Sequence, residues 1–131
     1  MIDHIGLHVR DVARATEFYL KALAPLGYGI VMQVSAEETG GSPAVGFGSG
    51  QKPSFWIGEG GHASGPMHVA FVALSRAAVD AFYAAALKAG GRDNGAPGLR
   101  PDYHANYYGA FVFDPDGNNI EAVWYDYSKS T

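Results

Sequence analysis

Apolar residues recur along this chain with two different periods, and the change of period predicts the secondary-structure elements. Residues 2–9 alternate, with apolar side chains on one face and His4 and His8 on the other, which predicts a strand. Residues 12–23 carry an apolar stripe of helical period behind Asp11, a good N-cap, which predicts a helix. Three further short strands are predicted at 28–34, 44–47 and 54–57, with a polar, glycine-rich turn at 37–43.

The second half of the chain begins in the same way. Residues 67–74 alternate and predict a strand with His68 on its polar face. Ser75 then caps a predicted helix over residues 76–89. Residues 92–106 contain Gly or Pro at positions 95, 97, 98 and 101, so we expect this segment to be irregular.

A closing hairpin is predicted from two apolar segments, 107–114 and 119–125. The residues between them are Asp, Pro, Gly and Asn, which suit a tight turn. Glu121 is the one carboxylate inside the second, largely apolar segment. A carboxylate in such a strand must be exposed, paired or bound to something, because burying an unpaired charge is costly. Glu121 is therefore either a solvent-facing strand residue or part of a site.

The two halves match each other when one is shifted by 64 positions. The matched pairs are His4 with His68, Asp11 with Ser75, and Phe18-Tyr19 with Phe82-Tyr83. Matches in constant register predict a duplicated βαβββ unit. We expect a single domain, 1–131, with module one at about 1–60, a joint at 59–66 and module two at about 67–126. Because each module alone would leave a bare sheet face and open edges, the modules must pack within the chain or between chains.

Composition excludes several classes of function. The chain has 131 residues, a net charge of −4 and scattered basic residues, which argues against nucleic acid or an anionic membrane as partner. It has no Cys, so a disulfide framework, a thiol nucleophile and a Cys-ligated zinc site are excluded. No apolar run approaches the length of a membrane span, and the N-terminus lacks a signal-peptide apolar region. We therefore expect a cytoplasmic protein.

The repeat places His4 and His68 at equivalent positions of two strands, and Glu121 lies in the last strand of the second module. Two imidazoles and one carboxylate can form a facial triad that leaves coordination positions open on a divalent metal. Zinc, iron, manganese, nickel and cobalt all accept these ligands. The other interpretation remains open, because a histidine at the start of a strand is often structural.

Three segments carry a resemblance to a known family. They read Asp3-His4-Ile5-Gly6-Leu7, then His68-Val69-Ala70-Phe71, and then Phe113-Asp114-Pro115-Asp116-Gly117-Asn118 followed by Ile120-Glu121. With these motifs the chain resembles the vicinal oxygen chelate superfamily. That superfamily includes glyoxalase I, the extradiol dioxygenases, the fosfomycin-modifying enzymes, methylmalonyl-CoA epimerase and the bleomycin-binding proteins.

The resemblance implies an α+β fold in which two βαβββ modules form a cupped mixed sheet around a metal. It implies that His4, His68 and Glu121 ligate one divalent ion. It further implies a homodimer, in which His4 of one chain would meet His68 and Glu121 of another.

The sequence also departs from individual members of the superfamily. Glyoxalase I has a fourth ligand, a glutamate in the last strand of its first module, and here Trp56 or a neighbour stands at that place. A three-ligand site is closer to the fosfomycin enzymes and the dioxygenases. The fosfomycin enzymes need a basic pocket, and this chain has few cations near its motifs. The two-module extradiol dioxygenases are about twice as long.

Candidate substrate-contacting residues cluster before the closing hairpin. Tyr103, His104, Tyr107 and Tyr108 are either a packed aromatic loop or the rim of a pocket. In the second case Tyr103 and His104 would be catalytic together with Glu121, with His104 as a general base near neutral pH.

Four residues of the first module and the joint complete the set of candidates. His8 shares a strand face with His4, and Trp56 would supply an apolar wall, so both are candidate substrate contacts. Glu59 and His62 are expected to be exposed in the joint.

Two classes of function follow from these residues. The first is a metal-dependent lyase, isomerase or dioxygenase acting on a small molecule that chelates the metal through oxygen. The second is a binding protein of the same fold that sequesters a small aromatic or planar compound without turnover. A third possibility is that the histidines act without any metal.

Overall fold

The computed structural model describes residues 1–59 and 65–125. This part of the chain contains eight strands and three α-helices. The strands are β1 (Ile5–His8), β2 (Gly29–Val34), β3 (Ala44–Gly48), β4 (Phe55–Gly58), β5 (His68–Val72), β6 (Arg92–Leu99), β7 (Tyr108–Phe113) and β8 (Asn119–Trp124). The helices are α1 (Val12–Leu23), α2 (Ala36–Thr39) and α3 (Arg76–Lys88).

Both long helices start where their capping residues predict. The Asp11 side chain accepts a hydrogen bond from the backbone N–H of Arg14, and the Ser75 side chain accepts one from Ala78. These bonds satisfy backbone donors that have no partner inside a helix. After α1 a 3₁₀ turn ends at Gly27, whose φ of 82° lies in the left-handed region that favours glycine. The predicted helix over 12–23 is confirmed, and the second prediction is one residue too long.

The strands form two sheets of the same topology. Their orders are β1-β4-β3-β2 and β5-β8-β7-β6, so each sheet comes from one half of the chain. In each sheet the first strand runs parallel to the last, and the other neighbours are antiparallel. This is the duplicated βαβββ unit, and the predicted α+β fold class is confirmed.

The prediction that residues 92–106 are irregular is wrong for the first half of the segment. Arg92–Leu99 forms β6, an edge strand paired with β7. Its register shifts between Asp93 and Gly95 and again between Gly95 and Gly98. An edge strand tolerates Pro and Gly, because one side of its backbone needs no sheet partner. The predicted turn at 37–43 is also partly wrong, because it overlaps the short helix α2.

The two halves share one hydrophobic core. Helix α1 packs on the first sheet and α3 on the second, and the helices also contact each other. Phe55 of β4 meets Phe71 of β5 edge to face at 5.1 Å between ring centroids. The opposite face of each sheet carries exposed residues, among them His8 on β1 and His68 on β5. Among the described residues no helix is long and apolar enough to cross a membrane.

A buried carboxylate ties the closing turn to the first module. Asp114 is 2% exposed and accepts hydrogen bonds from the backbone N–H of Asp116 and from both the backbone and side-chain amides of Asn118. The buried Tyr19 hydroxyl on α1 also donates to it. The conformation of the turn therefore depends on the packing of both halves.

Candidate metal and substrate site

The second sheet brings His68 and Glu121 together on its outer face. Strands β5 and β8 are parallel neighbours in which Ala70 pairs with Glu121, and His68 lies two residues before Ala70 on the same face. The Nε2 atom of His68 lies 2.9 Å from Oε1 of Glu121. The histidine side chain is half-exposed, whereas Glu121 is 2% exposed. Glu121 is thus a buried and paired carboxylate, and not the solvent-facing strand residue that the sequence also allowed.

Tyr107 holds the second oxygen of the same carboxylate. Its hydroxyl donates a hydrogen bond to Oε2 of Glu121. Gly109 of β7 has no side chain and so leaves the space that the Tyr107 ring occupies. A Cβ at Gly109 would lie 3.2 Å from Cε1 of Tyr107 and 3.5 Å from Oε2 of Glu121. Glu121 therefore has one oxygen fixed by Tyr107 and the other beside His68.

Further aromatic side chains pack next to Tyr107. Tyr103 contacts Tyr107 edge to face at 5.1 Å, and Tyr125 stacks on Tyr107 at 5.3 Å between ring centroids. The His104 ring lies 5.7 Å from Tyr125, and its Nδ1 accepts a hydrogen bond from the backbone N–H of Asn106. Three of the four predicted rim residues, Tyr103, His104 and Tyr107, thus belong to one aromatic cluster, which Tyr107 connects to Glu121.

Tyr108 is not part of this group. Its hydroxyl donates to Asp80 of α3 at 2.7 Å, on the helix-covered side of the sheet. That hydrogen bond raises the pKa of Tyr108. Successive strand residues point to opposite faces, so Tyr107 and Tyr108 cannot both reach the outer face.

The first sheet presents a separate hollow on its own outer face. A cavity of about 230 Å³ is lined by His8, Trp56 and Pro43, among other residues. The Trp56 ring lies over Gly46, where a Cβ would come within 3.0 Å of the indole. His8 and Trp56, the two substrate contacts predicted in the first module, therefore line one hollow. Glu121 of the same chain does not line this hollow.

Two predictions for the joint have different outcomes. Glu59 was expected to be exposed, but it is half-buried and accepts a hydrogen bond of 2.7 Å from the backbone N–H of Val12 at the start of α1. The prediction for Glu59 is wrong because a helix N-terminus offers donors to a nearby carboxylate. His62 lies outside the described residues.

His4 lies with the first module, away from His68 and Glu121. Its Nδ1 is 2.7 Å from Oδ2 of Asp3, and Lys52 pairs with the other oxygen of Asp3. Within the ranges 1–59 and 65–125 the chain forms no group of three or more His, Asp or Glu side chains that could hold a metal. A single chain therefore supplies at most two of the three ligands that the resemblance implies.

The geometry of His68 and Glu121 fits a divalent ion. Two ligand atoms at about 2.0–2.2 Å from one ion, at a right angle, are about 3 Å apart. The observed Nε2 to Oε1 separation of 2.9 Å has this value. The carboxylate oxygen and the imidazole nitrogen are also donor types that such ions accept. The pair can therefore occupy two neighbouring coordination positions, with a third ligand coming from elsewhere.

Solved structures with the same fold span almost the whole chain. A glyoxalase/bleomycin resistance protein from Albidiferax ferrireducens is 27% identical, with a TM-score of 0.72 over 95% of this chain and 98% of that one. A mutant of the fosfomycin resistance protein from Listeria monocytogenes, complexed with Mn(II) and 1S,2S-dihydroxypropylphosphonic acid, is 18% identical, with a TM-score of 0.71 over 98% and 95%. A glyoxalase I mutant from Zea mays is 21% identical, with a TM-score of 0.69 over 92% of this chain and 45% of that one. A comparison with curated protein sequences gave no match.

The sequence also matches a family model, described as the Glyoxalase/Bleomycin resistance protein/Dioxygenase superfamily, over residues 1–122. That match includes both modules and all three of His4, His68 and Glu121. It agrees with the two βαβββ units of the structure. The chain belongs to the glyoxalase/bleomycin resistance protein/dioxygenase superfamily.

Proposed function

We propose that this protein is a metal-dependent enzyme acting on a small molecule that binds through oxygen atoms, by lyase, isomerase or dioxygenase chemistry. The observation that carries the proposal is the buried Glu121 carboxylate with His68 Nε2 at 2.9 Å from one oxygen. A buried carboxylate next to a half-exposed imidazole at the spacing of neighbouring ligands is a favourable arrangement for a divalent ion.

His68 and Glu121 of one chain and His4 of a second chain would hold one divalent ion, which is zinc, iron, manganese, nickel or cobalt. When bound, such an ion polarises a substrate oxygen and stabilises negative charge that develops next to it. The solved fosfomycin resistance protein carries Mn(II) on the same fold, which supports a divalent ion here.

The open edges of the two sheets support an arrangement in which two chains share each site. Strands β1 and β5 each lie at the edge of their sheet, and exposed edges favour pairing with another chain. A homodimer that joins them would bring His4 to His68 and would set the hollow lined by His8 and Trp56 opposite Glu121. We accordingly propose a homodimer. We also propose a cytoplasmic location, on the basis of the composition of the chain.

The residues around Glu121 would divide the work of binding and proton transfer. Tyr107 fixes one carboxylate oxygen, and the exposed ring of Tyr103 offers a surface against which a substrate can pack. Because Nδ1 of His104 accepts a backbone N–H, the neutral ring carries its proton on Nε2. His104 would therefore donate a hydrogen bond to a substrate oxygen, although the sequence had suggested a general base.

The alternative function is sequestration of a planar compound without turnover. It is favoured by one observation, the contiguous aromatic surface of Tyr103, Tyr107 and Tyr125. Tight binding does not require the differential stabilisation of a transition state that catalysis requires, so such a surface would suffice.

A screen of the metal-loaded protein separates the two functions. Diols, catechols and ketoaldehyde–thiol adducts are incubated with the wild type and with Glu121→Gln, and loss of substrate and gain of product are followed by mass spectrometry. Turnover by the wild type that falls by at least about 100-fold in Glu121→Gln supports the enzyme. Micromolar binding of planar compounds without product supports sequestration.

A further inference from the structure

Arg100 lies on the same sheet face as His68 and Glu121. Its guanidinium carbon is 5.4 Å from the centre of the Phe111 ring. Phe111 pairs with Glu121 across β7 and β8, and its ring lies 6.4 Å from that of His68. The guanidinium thus completes a row of side chains across the outer face of the second sheet, after His68, Glu121 and Phe111.

The backbone of β6 holds this guanidinium in place. Nη2 of Arg100 donates a hydrogen bond of 2.7 Å to the carbonyl of Ala96. A Cβ at Gly95 would lie 3.2 Å from Nη2, and a Cβ at Gly98 would lie 3.1 Å from Nη1. The two glycines at which the register of β6 shifts therefore also provide the space that the guanidinium occupies next to Phe111.

The charge of Arg100 has no acidic partner in the described part of the chain. No carboxylate of residues 1–59 or 65–125 forms an ion pair with it, although the protein as a whole is acidic. A guanidinium has five N–H donors, and the contacts with Ala96 and Leu99 use only two of its nitrogens. Because the side chain is half-buried and already ordered, binding an anion would cost little additional side-chain entropy.

We infer that Arg100 is the binding site for an anionic group, a carboxylate in the first instance, on the small molecule that binds at His68 and Glu121. Strands β8 and β6 are separated by two strand spacings, or about 10 Å, and Phe111 lies between them. The ligand class is therefore an acid with oxygen ligands at one end, an apolar planar middle that packs on Phe111, and a carboxylate at the other end. The full ligand class rests on the proposed function, whereas the anion site rests on Arg100 itself.

The inference is tested by calorimetric titration with two acids and their neutral primary amides. The first acid, 3-(3,4-dihydroxyphenyl)propanoate, has two adjacent oxygens and is used with the full-length protein in the presence of Mn²⁺. The second acid, 3-phenylpropanoate, lacks those oxygens and is used after metal removal. We expect the wild type to bind each acid about tenfold or more tightly than its amide, because a bidentate guanidinium–carboxylate contact is charge-assisted.

Arg100→Gln is expected to reduce that preference to less than about twofold. Arg100→Lys keeps the charge without the planar fork and should give an intermediate preference. The matched control is Arg92→Gln, which removes the same charge from the same strand where Arg92 stacks on Phe113. It should keep the wild-type preference.

Three outcomes would overturn the inference: an undiminished preference in Arg100→Gln, equal loss in Arg92→Gln, or a wild type that fails to prefer the acids at millimolar concentration. Failure of the proposed function has a different signature. A protein that binds no metal but still prefers 3-phenylpropanoate through Arg100 would refute the metal site and leave the anion site standing.

Discussion

His68 and Glu121 lie 2.9 Å apart, Nε2 to Oε1, although 53 positions separate them in the chain. The contact exists because β5, an edge strand of the second sheet, runs parallel to its neighbour β8. The carboxylate is 2% exposed, so hydrogen bonds with His68 and Tyr107 take the place of bonds to water at its two oxygens. In the proposed metal site, this pair would exchange its mutual hydrogen bond for two bonds to one ion.

Tyr107 is expected to raise metal affinity by fixing the orientation of Glu121. In Tyr107→Phe the carboxylate loses its bond at Oε2 and can rotate away from His68. Partners of metal ligands typically contribute 10–100-fold to affinity, so the dissociation constant should rise by about that factor. Competition with a fluorescent chelator measures it.

Tyr108→Phe is the matched control for that variant, because its hydroxyl bonds Asp80 on the opposite face. Its metal affinity should equal that of the wild type. Equal affinities in all three proteins would refute the role of Tyr107.

Mixed dimers test whether His4 reaches the site of a second chain. His4→Ala and His68→Ala should each bind little metal as homodimers. A purified mixed dimer of the two variants has one intact site only if the site is shared between chains, so it should contain about half an equivalent per chain. Sites confined to single chains would leave the mixed dimer without metal.

Asp114 is predicted to be the most important polar residue for stability in the closing turn. Asp114→Ala would leave the Tyr19 hydroxyl and the amides of Asn118 without their acceptor in a buried setting. The free energy of unfolding in urea should fall by about 2–3 kcal/mol. Asp116→Ala removes one hydrogen bond from the backbone N–H of Arg10 and an ion pair with the exposed Arg10 side chain, so it should cost only about 1 kcal/mol.

The raised pKa of Tyr19 should lower the free energy of unfolding in alkaline solution. Burial and the neighbouring Asp114 raise the pKa of Tyr19 well above 10.0. Above about pH 10 the unfolded chain loses this proton while the folded chain keeps it, so the free energy of unfolding falls as pH rises. Melting temperatures between pH 9 and 11 should therefore drop more steeply for the wild type than for Tyr19→Phe. Parallel curves for the two proteins would contradict this assignment.

The sequence was sufficient to predict the elements whose signals are local. Helix α1 has both a 3.6-residue apolar period and a cap at Asp11, and its bounds were predicted correctly. Strand β6 was missed because its Gly and Pro residues usually interrupt a strand, and only its position at the sheet edge makes them acceptable. The first module has a strand, β2, at the equivalent place of the repeat.

Only part of the site could be predicted from the sequence, for a related reason. Alternation along β5 and β8 could place His68 and Glu121 on strand faces, but not decide that Glu121 is buried. The bond from Tyr107 depends on the empty position at Gly109, and the position of Arg100 depends on register shifts in β6. Such contacts are set by the pairing of strands, which no local pattern specifies.

Metal content is the most direct test of the central claim. The purified protein, incubated separately with zinc, iron, manganese, nickel and cobalt and then desalted, is analysed by elemental mass spectrometry beside His68→Ala and Glu121→Gln. The predicted result is about one equivalent per wild-type chain for at least one ion and a large loss in both variants. A wild type that stays metal-free with every ion, or variants that retain the full equivalent, would contradict the proposed metal site.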